Sequence, residues 1–156
     1  MHPSAEAFRN RAVEHHGFEV DVHEFPEGTK TAADAADAIG CDVAQIASGI
    51  VLSADGDLVV VVTSGANRVS EPKVADLVDA ETVSMGDADD IKATLGWSIG
   101  GVPPFCHEAD VPVFLDETLL TFEEVWAAAG TPQAVFPINP ETLRTLADAT
   151  VADIAE

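Results

Sequence analysis

The spacing of apolar positions changes several times along this chain, and each change predicts an element. Over residues 4–15, Phe8, Ala12 and Val13 share one helical side, with Ser4 as candidate N-cap and Gly17 as the stop. Residues 18–25 switch to period two, Phe18, Val20 and Val22 alternating with Glu19, Asp21 and His23, which predicts a strand. Thr31 then caps a helix to Ile39, with Asp34 at N3 and Gly40 as the C′ residue. Around Ile50-Val51-Leu52 the chain becomes continuously apolar, and Asp55-Gly56-Asp57 turns it into a return strand over 58–63. The unbroken valines of that return strand predict burial on both faces, at the centre of a sheet.

Further on, the pattern predicts a helix over 70–78, a short strand over 82–85 and a helix from the cap Asp87 to Leu95, with Asp90 at N3. A strand over 111–115 ends at Asp116. A helix is expected over 122–129, with Val125 and Trp126 inward and Gly130 as its stop. A strand over 133–138, a last helix entered at Pro140 and a short edge strand over 151–154 complete the chain. Hairpins and crossovers are mixed, so the fold class is α+β around one mixed sheet, in a single domain over 1–156 without repeat or linker.

One run breaks every period. Residues 96–107 read Gly-Trp-Ser-Ile-Gly-Gly-Val-Pro-Pro-Phe-Cys-His. Paired glycines free the backbone, and paired prolines fix φ and remove two amide donors. Neither a helix nor a central strand passes through such a run. Trp97, Ile99, Val102 and Phe105 can anchor it to a core, leaving either a tight crossover or a shaped wall that another molecule can approach closely.

Composition adds one large constraint. The chain has 156 residues, 47% of them hydrophobic, but 28 acidic residues face only 7 basic ones, a formal net charge of −21. The acids are scattered through the predicted helices, which argues against a disordered acidic tail. Such a surface, with only Lys30, Lys73 and Lys92 as lysines, fits work in molar salt, where charges are screened within about 3 Å. The expected setting is therefore the cytoplasm of a halophilic cell. No basic patch exists for DNA or for tRNA phosphates, so any RNA contact must rely on shape, stacking or a small end group. No segment reads as a signal peptide or a membrane span. Cys41 and Cys106 have no CxxC neighbour, so neither a disulfide framework nor a zinc site is expected, and no cofactor motif is present.

Candidate chemistry is sparse. His2, His15, His16 and His23 read as surface residues, whereas His107 leaves the glycine–proline run beside Cys106. Adjacent Cys and His do not by themselves make a nucleophile–base pair. Asn67 and Arg68 follow the central strand in a Ser-Gly-Ala-Asn-Arg loop, either presenting polar groups to a site or simply closing the loop. Asp116, at a strand end, either caps the next turn or points into a site.

The ordered motifs Thr31-Ala-Ala-Asp-Ala-Ala, Gln45-Ile-Ala-Ser-Gly-Ile-Val-Leu and Ser64-Gly-Ala-Asn-Arg-Val resemble the YbaK-like aminoacyl-tRNA deacylases. Ile99-Gly-Gly-Val-Pro-Pro-Phe, Pro112-Val-Phe-Leu-Asp-Glu and Phe122-Glu-Glu-Val-Trp-Ala-Ala-Ala-Gly-Thr-Pro continue the series. This family includes the prolyl-tRNA synthetase editing domain and free-standing relatives, and the resemblance is strongest over 29–156. It implies a mixed sheet curled into a barrel-like core with flanking helices. It also implies hydrolysis of the ester between a wrong amino acid and the 3′ end of tRNA. The Gly-x-x-x-Pro pattern, Gly100 to Pro104, would surround the aminoacyl group, with Gly100 and Gly101 supplying main-chain groups near the reacting ester. Thr31, Asn67, Arg68, His107 and Asp116 would position the substrate. The family's usual lysine, important for deacylation, falls at Ser48, with Lys30 or Arg68 as possible substitutes. Cys106 and Ala128 stand where relatives commonly carry glycine and serine. The alternative implied by Ser48 is a non-catalytic homologue that binds a small molecule or the tRNA end.

Overall fold

The structure is a computed structural model that describes residues 1–25 and 31–156. Helix α1 (Pro3–His16) is followed by strand β1 (His23–Glu24), α2 (Ala32–Ile39), β2 (Ile46–Ala54) and β3 (Asp57–Ser64). Then come α3 (Glu71–Val78), β4 (Val83–Met85), α4 (Ala88–Leu95), β5 (Val113–Asp116), β6 (Val125–Ala128), β7 (Ala134–Ile138), α5 (Pro140–Ala147) and β8 (Thr150–Ala152). The strands form one mixed sheet in the order β1-β7-β6-β2-β3-β5-β8, with β4 also paired to β2. The sheet curls but is not closed, since β1 and β8 remain its two ends among the described residues.

The valine run lies where its pattern placed it, at the centre. Val60 and Val62 join the larger core, while Val59 and Val61 join the smaller core on the opposite face. Alternation therefore persists inside a run that is apolar throughout, because both faces of the sheet are covered. Phe8 of α1 is fully buried against Trp97, Phe105 and Phe136, with ring centroids at 6.1, 5.3 and 5.2 Å.

Local signals explain most boundaries. Thr31 Oγ1 accepts from the Asp34 N–H at 3.1 Å, and Asp87 Oδ1 accepts from Asp89 and Asp90 N–H at 2.9 and 3.3 Å. At α1 the cap is His2 rather than Ser4: His2 Nδ1 accepts from the Ser4 N–H at 3.1 Å, and Pro3 takes the first helical position. Before β2, Asp42 and Gln45 form a reciprocal capping box. The Gln45 amide nitrogen also donates to the Glu124 carbonyl at 3.1 Å, aligning the starts of β2 and β6.

Two expected elements come out differently. Among the described residues only His23–Glu24 of the predicted 18–25 strand form a strand, paired with Val135 and Ala134 of β7, and the Phe25 N–H extends it by donating to the Gln133 carbonyl at 2.7 Å. The expected helix over 122–129 is strand β6, parallel to β2 and antiparallel to β7. Val125, Ala127 and Ala129 are buried while Trp126 and Ala128 are only partly so, a period of two that pairing on both edges selects over the helix propensity of the alanines.

Candidate functional site

Strand β2 keeps β3 along one edge, but its other edge is shared. There β6 pairs at Ile46 and Ala47, and β4 pairs from Leu52 to Ala54. Where β6 and β4 diverge, a cleft of about 240 Å³ opens, and Thr31, Ala35, Ser48, Gly100, Trp126 and Ala128 are among its walls. Met85 and Ile99 stand at this cleft with 60% and 51% of their surface exposed. The volume is below the roughly 300 Å³ at which pockets for drug-sized ligands begin, so the cleft suits a small group.

The glycine–proline run forms one wall. Trp97, Val102 and Phe105 are buried, and Trp97 Nε1 donates to the Cys106 carbonyl at 3.0 Å. Ile99, expected to anchor the run, is instead exposed. It sits at the tip of a turn closed by the Gly101 N–H donating to the Ser98 carbonyl at 3.1 Å. Gly100 has φ +88, which that turn demands of its third residue. Gly101 is buried against the β6–β7 turn, where a Cβ would lie 2.5 Å from Thr131 Cα.

Of the residues expected at a site, Thr31, Ser48 and Gly100 meet in this cleft. The Ser48 hydroxyl has no hydrogen-bond partner among the described residues, and Lys30 lies outside them. Arg68 is exposed, makes no ion pair among the described residues and does not line the cleft. Pro104 is buried within the run and does not line the cleft.

Asn67 and Asp116 gather elsewhere, at the C-terminal ends of β3 and β5. Asp116 is 1% exposed. Its Oδ2 accepts from Thr63 Oγ1 at 3.3 Å, Ser64 N–H at 3.0 Å and Asn67 Nδ2 at 2.9 Å, and its Oδ1 accepts from Thr118 N–H at 2.9 Å. Burial pushes the carboxyl pKa up, but the donors from Asn67, Ser64 and Thr118 outweigh it and hold the group below its ordinary 3.8. Its partners are the end of β3, the loop that follows it and the turn after β5, so Asp116 is a clasp.

His107 and Cys106 line a separate cleft of about 620 Å³ with Arg11 and His16, sharing no residue with the first. His107 Nε2 donates to the Pro103 carbonyl at 2.7 Å; burial lowers its pKa, and that bond only partly offsets the shift. Burial pushes the Cys106 thiol up to about 11, with Arg11 opposing, so it stays protonated near neutral pH and is a poor nucleophile. The smaller cleft, where Thr31, Ser48 and Gly100 meet, is the better candidate. Met85, Trp126 and the main chain of β2 carry no sequence signal for a site; pairing of distant strands brings them there. Among the described residues no cluster of His, Cys, Asp and Glu is arranged to hold a metal ion.

Residues 26–146 match the model of the aminoacyl-tRNA editing domain, and this chain belongs to that family. It is 28% identical over 125 residues to the uncharacterized protein YwhH of Bacillus subtilis (strain 168), covering 80% of each chain. Over 88 residues it is 31% identical to the proline–tRNA ligase of Leuconostoc citreum (strain KM20), covering 56% of this chain but 15% of that enzyme. It thus spans only a small part of that ligase. A crystal structure of a proposed trans-editing enzyme for prolyl tRNA synthetase superposes with a TM-score of 0.93 at 38% identity. That superposition covers 100% of this chain and 99% of the other. No helix among the described residues is long and apolar enough to cross a membrane.

Proposed function

We propose that this chain is a free-standing deacylase that hydrolyses mischarged aminoacyl-tRNA in trans, with the β2 cleft holding the aminoacyl group. The observation that carries this reading is the meeting of Thr31, Ser48 and Gly100 around about 240 Å³ at the split in the sheet. A pocket of that size has room for an aminoacyl group and little more. Because a methylene is worth only about 1–3 kcal/mol in synthetic-site selection, a second hydrolytic sieve is useful. Met85 and Ile99 at the mouth offer apolar surface to the terminal nucleoside, which suits a protein with 28 acidic and 7 basic residues and little attraction for phosphates. In the reaction, water adds to the ester carbonyl carbon and the carbon–oxygen bond to the ribose breaks. A proton from the water passes to the departing ribose oxygen, which leaves as a hydroxyl.

The test is deacylation of a panel of mischarged tRNAs in molar potassium chloride, the condition the acidic surface favours. Hydrolysis above the spontaneous rate for one or a few small amino acids is expected. A folded protein with no hydrolysis of any of them defeats the proposal.

Ser48 favours a second reading, a homologue that binds the tRNA end or a small molecule without turnover. Serine supplies no fixed charge for the developing oxyanion. Substituting Ser48→Lys is expected to raise kcat/KM by about 10²-fold, the worth of one well-placed electrostatic donor. Unchanged activity at undiminished tRNA-end binding would favour the binding module.

A further inference from the structure

The hydrogen-bond register of β2 leaves the N–H and C=O of Gly49 facing the cleft. Ile46 accepts from the Gly65 N–H at 2.8 Å, and on β3 the Val60 N–H donates outward to Pro112 at 3.0 Å. Together with the pairing of Ile46–Ala54 to β3, these bonds set the alternation. Even-numbered residues of β2 bond to β3, and odd-numbered residues turn N–H and C=O to the other edge. The carbonyl of Val51, on that other edge, accepts from Gly86 N–H at 3.0 Å, as this requires. Along the same edge the pairing with β6 stops at Ala47↔Ala127, and the pairing with β4 begins at Leu52↔Met85. Gly49 falls between them. Neither strand reaches its N–H or its C=O, no other hydrogen bond is made to them among the described residues, and Gly49 is a wall of the cleft. No side chain can cover this gap from position 49 itself, because a Cβ there would lie 2.6 Å from the Val102 carbonyl oxygen.

An unpaired edge residue is complementary to any group that carries a donor and an acceptor on either side of one tetrahedral carbon, as a peptide residue does. An aminoacyl ester is such a group. We infer that the aminoacyl moiety docks on β2 as a one-residue strand. The Gly49 carbonyl accepts from the α-ammonium, and the Gly49 N–H donates to the ester carbonyl oxygen. This rests on the deacylase reading and adds the residue that orients its substrate. As water adds to the carbonyl carbon, the oxygen facing the Gly49 N–H gains negative charge, so this bond strengthens towards the transition state. The same geometry makes recognition depend on the α-amino group and not on the side chain alone.

The probe is an RNA acceptor-stem helix carrying alanine through a non-hydrolysable 3′-amide, compared with one carrying a propionyl group, which lacks the α-amino donor. With the protein labelled by [15N]glycine, the alanyl probe is expected to move the Gly49 amide proton downfield and slow its exchange with solvent. The propionyl probe is expected to bind about 10- to 100-fold more weakly, the range for one hydrogen bond to a charged group. Binding of the alanyl probe with a shift at Gly100 but none at Gly49, or equal affinity for both probes, overturns the inference and leaves the deacylase reading standing. No binding of the alanyl probe overturns the inference as well, and the mischarged tRNA panel then decides separately whether the deacylase reading survives.

Discussion

Replacing Asp116 by alanine is expected to destabilise the fold by about 3 kcal/mol, because it removes a buried acceptor shared by the buried Thr63 and Ser64 and the half-buried Asn67 and Thr118. For a chain of this size that corresponds to a fall in Tm of roughly 6–12 °C. The Ser64 N–H and Thr118 N–H lose their acceptor, and Asn67 Nδ2 keeps only Thr118 Oγ1 at 3.0 Å to hold the loops after β3 and β5 together. The pH dependence follows from the same contacts. The folded-state pKa lies below the unfolded value near 3.8, so the contribution is fully present above about pH 4 and is lost as pH falls through the folded value. Thermal melts of the wild type between pH 6 and pH 2 should show acid destabilisation that Asp116→Ala largely lacks. A variant as stable as the wild type, or parallel acid profiles, would remove the clasp role. Deacylation at a temperature where the variant is folded should be nearly unchanged, since Asp116 does not line the cleft.

Gly101→Ala is expected to do the reverse, reducing kcat/KM by about 10²-fold with the fold largely kept. Its Cβ would lie 2.5, 2.7 and 2.8 Å from Thr131 Cα, C and N. All three are backbone atoms, so rotamer changes cannot relieve the clash. The turn from Ser98 to Gly101 must shift away from the β6–β7 turn and carry Gly100, a wall of the cleft, with it. A displacement of about 1 Å at a reacting centre costs on the order of 10²-fold in rate. Steady-state deacylation together with circular dichroism separates the outcomes. Full activity in a folded variant would mean that the turn does not position the substrate.

Much of the secondary structure was legible because its causes are local. Thr31, Asp87 and Pro140 announce their helices through capping chemistry that needs no distant partner, and Asp55-Gly56 announces its hairpin the same way. The helix expected over 122–129 failed for the complementary reason. Alanine and glutamate favour a helix in isolation, but Gln45 fixes the start of β6 against β2 and β7 takes its other edge. Residues 18–25 show the converse: their alternation was visible, but among the described residues β7 and the turn before it bond only to the end of the segment, from His23 to Phe25.

The site divides along the same line. From the sequence alone came the editing-domain resemblance, the acidic composition, the shaped glycine–proline run and the expectation that Ser48 stands where the family usually has lysine, all resting on residue types and their order. Only the tertiary structure separated Thr31, Ser48 and Gly100 in the cleft from Asn67 and Asp116 in a clasp and from His107 in another cleft. Only strand pairing exposed the Gly49 main chain. The reason is physical: a backbone N–H and C=O are the same in every residue, and whether they are free depends on where neighbouring strands stop. That is decided by contacts between segments far apart in the chain, and no residue type encodes it.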